Sequence, residues 1–169
     1  MHLYITTGNK LECILSDGTT TKTITGNTTV TDNACRLASV TVDRIGNMNL
    51  YLNGVADATA VDVTSVGAIN TTANLNIGFN SADYFNGSIG ETQLAFSNDL
   101  ATSNVNASTL TQAYKQGLST WTNGEVVGWW KWRGTTGSQM LRDYSNSANN
   151  LSGTNITIAD QKRGAYPSK

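Results

Sequence analysis

The alternation of apolar and polar positions is clearest from Ala38 to Gly54, ASVTVDRIGNMNLYLNG. Ala38, Val40 and Val42 alternate with Ser39, Thr41 and Asp43, and Met48, Leu50 and Leu52 alternate with Asn49, Tyr51 and Asn53. A period of two turns one row of a strand into a core and the other toward solvent, so these runs predict a β-hairpin. Arg44-Ile45-Gly46-Asn47 joins them, with Gly46 and Asn47 open to positive φ. Asn53-Gly54 predicts a second tight turn into Val55.

The same pattern recurs on both sides. Leu3 to Thr6 reads as a strand. Leu11, Cys13 and Leu15 give Lys10 to Ser16 one apolar face, and Asp17-Gly18 signals a turn into the Thr-rich run Thr19 to Thr25. Val55 to Val66 is weaker strand and loop. Ala73, Leu75 and Ile77 alternate and stop at Gly78. Phe85 to Phe96 is a strand region whose apolar phase shifts, which predicts a bulge near Gly90.

Helical spacing appears once, in Ser103 to Gly117, where Leu110, Ala113 and Tyr114 share a face. Asn106 or Ser108 can cap its start and Gly117 its end. Glu125 to Arg133, EVVGWWKWR, is a late strand, and Leu141 and Leu151 to Ile158 supply shorter ones. Many short strands and one short helix near 106–116 predict an all-β fold. Residues 1–160 read as a single domain and 161–169 as a tail.

Composition narrows the partners. In 169 residues, 11 Lys and Arg face 12 Asp and Glu, so no phosphate-backbone footprint is expected and nucleic acid is not a partner. Charged residues are only 14%, leaving the surface to Thr, Asn, Ser and Gly, a composition associated with extracellular and virion β-proteins. No run approaches the ~20 apolar residues of a membrane span. The opening MHLYITTGNK has no signal-peptide core, which fits export by another route, release by lysis, or a lost leader. Cys13 and Cys35 are the only cysteines, and could form a disulfide or be two small buried residues.

The residues of two stretches carry a resemblance. VTVDRIGNMNLYLNGV is similar to the central hairpin of the laminin-G-like, concanavalin A-like jelly rolls, and Ala73 to Ser97, ANLNIGFNSADYFNGSIGETQLAFS, resembles the strands that follow it. The family implies a two-sheet β-sandwich that binds glycans or proteins and, in some branches, hydrolyses glycosides. Its domains usually open with a strand like VVGWWKW, which stands here near the C-terminus with LRDYSNSANNLSG after it. The order is therefore permuted, or one or two N-terminal strands are lacking. A sandwich short of strands exposes an unpaired edge, and a second copy of the chain is the simplest cover.

Candidate chemistry follows. Trp129, Trp130 and Trp132, with Trp121 nearby, could stack on sugar rings while Lys131 or Arg133 bonds hydroxyls. Alternation puts Trp130 and Trp132 on one strand face and Trp129 on the other, so at least one is core. The glycan or partner contacts expected are Trp129, Trp132 and the loop residues Asn80, Asp83, Tyr84 and Asn86. No cofactor is required. The family implies calcium as an option, with Asp83 and Asp143 as ligands. The family's FNGSI-Asp-Glu pattern has Gly90 in place of its Asp, which weighs against that site.

Catalysis has no support in the residues. The hydrolases of this fold carry a Glu-x-Asp-x-x-Glu strand, whereas Glu12, Glu91 and Glu125 are the only glutamates here and lie far apart. His2 is the only histidine. The reading is a non-enzymatic structural or attachment protein of a particle surface, such as a phage decoration or fibre domain, resembling phage-encoded proteins with the same AYKQG…VVGWWKWR ending. The alternative is a lectin-like carbohydrate-binding module, and a glycoside hydrolase stands third. Either of the first two would sit on a virion or outside the cell, with homo-oligomers, other virion or surface proteins or glycans as partners.

Overall fold

The computed structural model describes residues 1–30, 34–70, 72–80, 83–96, 107–116, 126–131 and 141–152. The chain forms two compact units, residues 1–71 with 99–120, and residues 72–98 with 121–169. Among the described residues every strand pair is antiparallel and there is one helix.

The first unit holds two sheets. One joins β1 (His2–Ile5), β2 (Lys10–Ser16) and β3 (Thr21–Thr29) in that order. The other joins β4 (Ala38–Val42), β5 (Asn47–Leu52), β6 (Val55–Ala56) and β7 (Val61–Asp62), with β6 and β7 pairing successive parts of β5. Their apolar rows meet in one core. Leu11, Cys13, Leu15 and Ile24 come from the first sheet, and Met48, Leu50, Leu52, Val63 and Val66 from the second sheet and its loop. Burying each large aliphatic side chain contributes about 1.5–3 kcal/mol. The predicted row on β5 is therefore the one that is buried. Val40 and Val42 of β4 are half-buried against the same core, opposite Leu50 and Met48. Ala38, expected in that row, is exposed at the strand end, while Ser39 is buried.

The turns have separate causes. Asn53 and Gly54 both take positive φ, 55° and 81°, as predicted. A Cβ on Gly54 would also lie 2.8 Å from the Leu110 carbonyl carbon, so glycine is needed there for packing too. The Arg44–Asn47 turn differs from expectation, because neither Gly46 nor Asn47 has positive φ. Asp43 shapes that turn: its Oδ1 accepts the Ile45 N–H at 3.0 Å, and its carboxylate fills the space a Gly46 side chain would need.

The β2–β3 ladder breaks between Lys10 and Glu12, leaving extra residues on β3. Asp57, only 7% exposed, takes up the freed donors. Its carboxylate accepts the Thr28 N–H at 3.1 Å and the Thr28 hydroxyl, and its carbonyl accepts the Asn27 N–H at 2.7 Å. One buried carboxylate thus ties the first sheet to the second. The helix α1 (Ala107–Gln116) packs on β6 through buried Leu110 and Ala113, with the Thr111 hydroxyl donating to the Gly54 carbonyl at 3.1 Å. Its proposed caps Asn106 and Gly117 lie outside the described residues.

The second unit contains β8 (Phe79–Asn80) paired with β9 (Asp83–Tyr84), and β10 (Thr92–Ala95) paired with β11 (Val126–Trp130). The bulge falls between Leu94 and Ala95, not near Gly90. Ala73 to Ile77 is not a strand, and its Leu75 is 52% exposed. Among the described residues no named strand pairs with it. Trp121, Trp132, Arg133 and the tail 161–169 lie outside the described residues.

Cys13 and Cys35 do not form the disulfide the sequence allowed. Cys13 points into the core between Leu11 and Leu15, whereas Cys35 is exposed, and both are free. Burial pushes the Cys13 thiol up to about 11, partly opposed by the chain's N-terminal charge. A thiol reagent should therefore label Cys35 quickly in the native protein and Cys13 only on unfolding. Two fast thiols in native buffer would remove Cys13 from the core. Leu50→Ala should lower the unfolding free energy by about 2–5 kcal/mol in a urea titration, and a change within error would misplace the β5 row.

Candidate functional site

The late strand β11 is held by a compact loop, residues 141–152. Asp143 forms an isolated bridge with Trp130 and is 5% exposed. Its Oδ1 accepts the Trp129 and Ser145 N–H groups, both at 2.8 Å. Its Oδ2 accepts the Ser145 hydroxyl at 2.7 Å and the Asn149 N–H at 2.8 Å. Burial pushes this carboxyl up, but the Ser145, Trp129 and Asn149 donors outweigh it and hold it below its ordinary 3.8. Asn149 also ties the loop to β11, its Nδ2 donating to the Val127 carbonyl at 2.7 Å and its carbonyl accepting the Trp130 indole N–H at 3.0 Å.

This answers two expectations. A calcium ion would need oxygen lone pairs that Asp143 already commits to N–H and O–H donors, so Asp143 does not fit a metal. The Asp83 and Asn80 side chains lie outside what the structure describes, and among the described residues no three His, Cys, Asp or Glu cluster. The tryptophans split as alternation required. Trp130 is 2% exposed and belongs to the packing. Trp129 is half-buried, with its indole N–H donated to Glu91 at 2.6 Å and the Lys131 ammonium 3.8 Å over its ring. Lys131 also lies 4.9 Å from the Tyr144 ring centre. Lys131 thus occupies one face of the Trp129 ring, which leaves at most the other face for a sugar.

Tyr84, by contrast, stands out at 60% exposure, its ring 4.9 Å from that of Phe79 across the β8–β9 hairpin. Asn86 beside it is exposed. Four of the expected residues thus remain near one hairpin: Tyr84 and Asn86 as described side chains, and Asn80 and Asp83 as backbone alone.

The sequence missed a further site. A cleft of about 660 Å³ lies within the second unit, between the 74–76 segment, β10, β11 and the 149–152 turn. Leu75 and Phe96, 52% and 64% exposed, give it apolar surface. Asn74, Asn76, Asn150 and Ser152 give it amide and hydroxyl groups. None of the described lining residues is charged. Its walls come from four segments separated along the chain, so no local spacing could announce it. The alternation of Asn74 and Asn76 with Leu75 was the one available signal.

The laminin-G model of the concanavalin A-like lectin/glucanases superfamily matches residues 1–106, and the chain belongs to this family. The matched part includes all of both sheets of the first unit and the β8–β10 region. No curated protein and no solved structure matches the chain.

Acid titration separates the role of Asp143 from that of other carboxylates. A group held below its ordinary value contributes stability that is complete above that value and is lost as pH falls through the native one. The stability gap between wild type and Asp143→Asn should therefore be widest near neutral pH and shrink as the pH falls below the ordinary carboxyl value of 3.8. A gap that stays constant in urea titrations across that range would mean the four hydrogen bonds do not depend on the charge.

Proposed function

We propose that this chain is a lectin-like, non-catalytic carbohydrate-binding module that serves attachment at a particle surface or outside the cell. The observation that carries this reading is the cleft whose described lining, Leu75, Phe96 and asparagine side chains among it, carries no charge. A pyranose ring has an apolar C–H face and a rim of neutral hydroxyls. Leu75 and Phe96 match the face, and an asparagine amide both donates to and accepts from hydroxyls. A phosphate or carboxylate ligand would find no counter-charge in that lining.

Hydrolysis of a glycoside would need two carboxyl groups about 5–9.5 Å apart, and the cleft instead offers amides, which supports a binding role. Amides bind hydroxyls without a metal, so calcium is not required on this reading. The display role draws on a different observation. Thr21, Thr23, Thr25 and Thr29 line the exposed outer face of β3, and only 14% of all residues are charged. Such a surface suits a virion or extracellular setting, with virion or surface proteins as neighbours and no nucleic acid partner. No described helix is long and apolar enough to cross a membrane.

A neutral glycan array, followed by calorimetry on the best ligand, tests the reading. Phe96→Ala and Asn76→Ala should each weaken binding about tenfold or more, equivalent to about 1.4 kcal/mol, while Tyr84→Ala and EDTA leave it unchanged. Loss of binding with Tyr84→Ala alone would move the site to the β8–β9 hairpin. Loss with EDTA would return calcium, with Asp83 as its candidate ligand. No retained glycan would end the carbohydrate reading. Recovery of the chain only from cell pellets, and never from particles or medium, would end the display reading.

A further inference from the structure

The strand β1 lies at the edge of its sheet among the described residues. Leu3 and Ile5 stand opposite Cys13 and Leu11 in β2, so they share the core-facing side of the sheet. Yet Cys13 and Leu11 are 0% and 5% exposed, whereas Leu3, Ile5 and the preceding Met1 are 38%, 41% and 64% exposed. The apolar row of the core runs out to the edge and stops there uncovered. On the other face, His2 and Tyr4 stack with ring centres 4.6 Å apart, and the Tyr4 hydroxyl donates to Glu12. Thr25 donates to the same carboxylate at 2.7 Å, so the outer face is tied across all three strands while the inner face is open.

Edge strands are usually protected by a lysine, a proline, a bulge or an inward charge. Met1-His2-Leu3-Tyr4-Ile5 has none of these. It is also self-complementary. Antiparallel pairing with a copy of itself about a two-fold axis at Leu3 sets Leu3 opposite Leu3, Met1 opposite Ile5, and His2 opposite Tyr4. Every apolar residue then faces an apolar one on the core side, and every ring faces a ring on the other. The register works whichever residues of β1 turn their N–H and C=O groups outward, because a two-fold axis can pass through either kind of antiparallel pair. A shift by one residue would set Leu3 opposite Tyr4 or His2 and break the match.

We propose that β1 is a self-association edge, joining two copies of this chain into one continuous six-stranded sheet with three strands from each. The formal net charge of −1 offers little long-range repulsion between copies. The occupant is a second copy rather than an unrelated peptide, because the match lies in the strand's own sequence. This inference is independent of the cleft, which belongs to the other unit.

Light scattering of the full chain over a concentration series should show a species of twice 18.0 kDa, growing with concentration. Leu3→Lys sets two like charges opposite each other at the axis and should return the chain to a monomer, with circular dichroism and melting unchanged. The register is tested separately in a Cys13→Ala, Cys35→Ser background, which removes the thiol next to Leu3 in β2. There Leu3→Cys should form a covalent dimer on mild oxidation, whereas His2→Cys, which faces Tyr4 of the second copy, should not. A monomer at every concentration would overturn the proposal and indicate that other residues of the chain cover β1. A dimer that survives Leu3→Lys and resists cross-linking through Leu3→Cys would place the interface elsewhere.

Discussion

The structure depends on two apolar rows finding each other across the first unit. Leu11, Cys13, Leu15 and Ile24 on one sheet are useful only if Met48, Leu50 and Leu52 arrive on the other in phase. Because the side-chain period of a strand is two, a slip of one residue in either sheet would send a whole row into water. Much of the rest can be understood as fixing that phase. The Asp17-Gly18 and Asn53-Gly54 turns set the register of β2 on β3 and of β5 on β6, with Gly18 and Gly54 both at positive φ. Asp57 absorbs the donors freed where β3 breaks its ladder, so the Asn27 and Thr28 N–H groups stay paired through the break.

The parts legible in the sequence were those in which one local rule and the global fold agree. The β5 row, the β2 row, the Asn53-Gly54 turn and the helix all follow from spacing within a dozen residues, and the helix buries Leu110 and Ala113 as its spacing implied. The family match over residues 1–106 covers the two strand rows and the turn and stops just before the helix. Where the sequence misled, the deciding contact was one that the apolar–polar pattern does not carry. Ala73 to Ile77 alternates like a strand, but alternation only permits a strand and a partner must supply the ladder. Gly46 suggested backbone freedom, yet its cause is the Asp43 carboxylate beside it. The bulge near Leu94 answers to Val126 and Gly128, more than thirty residues away.

The tryptophans show why residue type alone is weak evidence for a site. Trp129 has the right chemistry for a sugar platform, and the alternation of its strand does point it away from Trp130. Its neighbours restrict that use: Glu91 takes the indole N–H and Lys131 takes a ring face. Asp143 follows the same logic. It occupies an acidic position that the family resemblance associates with calcium, but three donors from its own loop and one from β11 fill its lone pairs. Those donors belong to Trp129, Ser145 and Asn149, and only the last two are close enough in sequence to suggest a local turn.

Low charge is the thread that links the cleft to the edge. With little electrostatic steering available, a surface of this composition must gain specificity from shape and directional hydrogen bonds. In the cleft, on the proposed reading, asparagine amides would supply both donors and acceptors and the apolar wall would meet the apolar face of the ligand. Along β1 the backbone supplies the donors and acceptors, and the order of Met1, Leu3 and Ile5 selects the register. Both arrangements ask the same of the fold: a rigid frame that holds neutral groups in place. The buried rows of the two sheets provide that frame around β1. In the second unit it is provided by β11, with the loop that Asp143 locks against it.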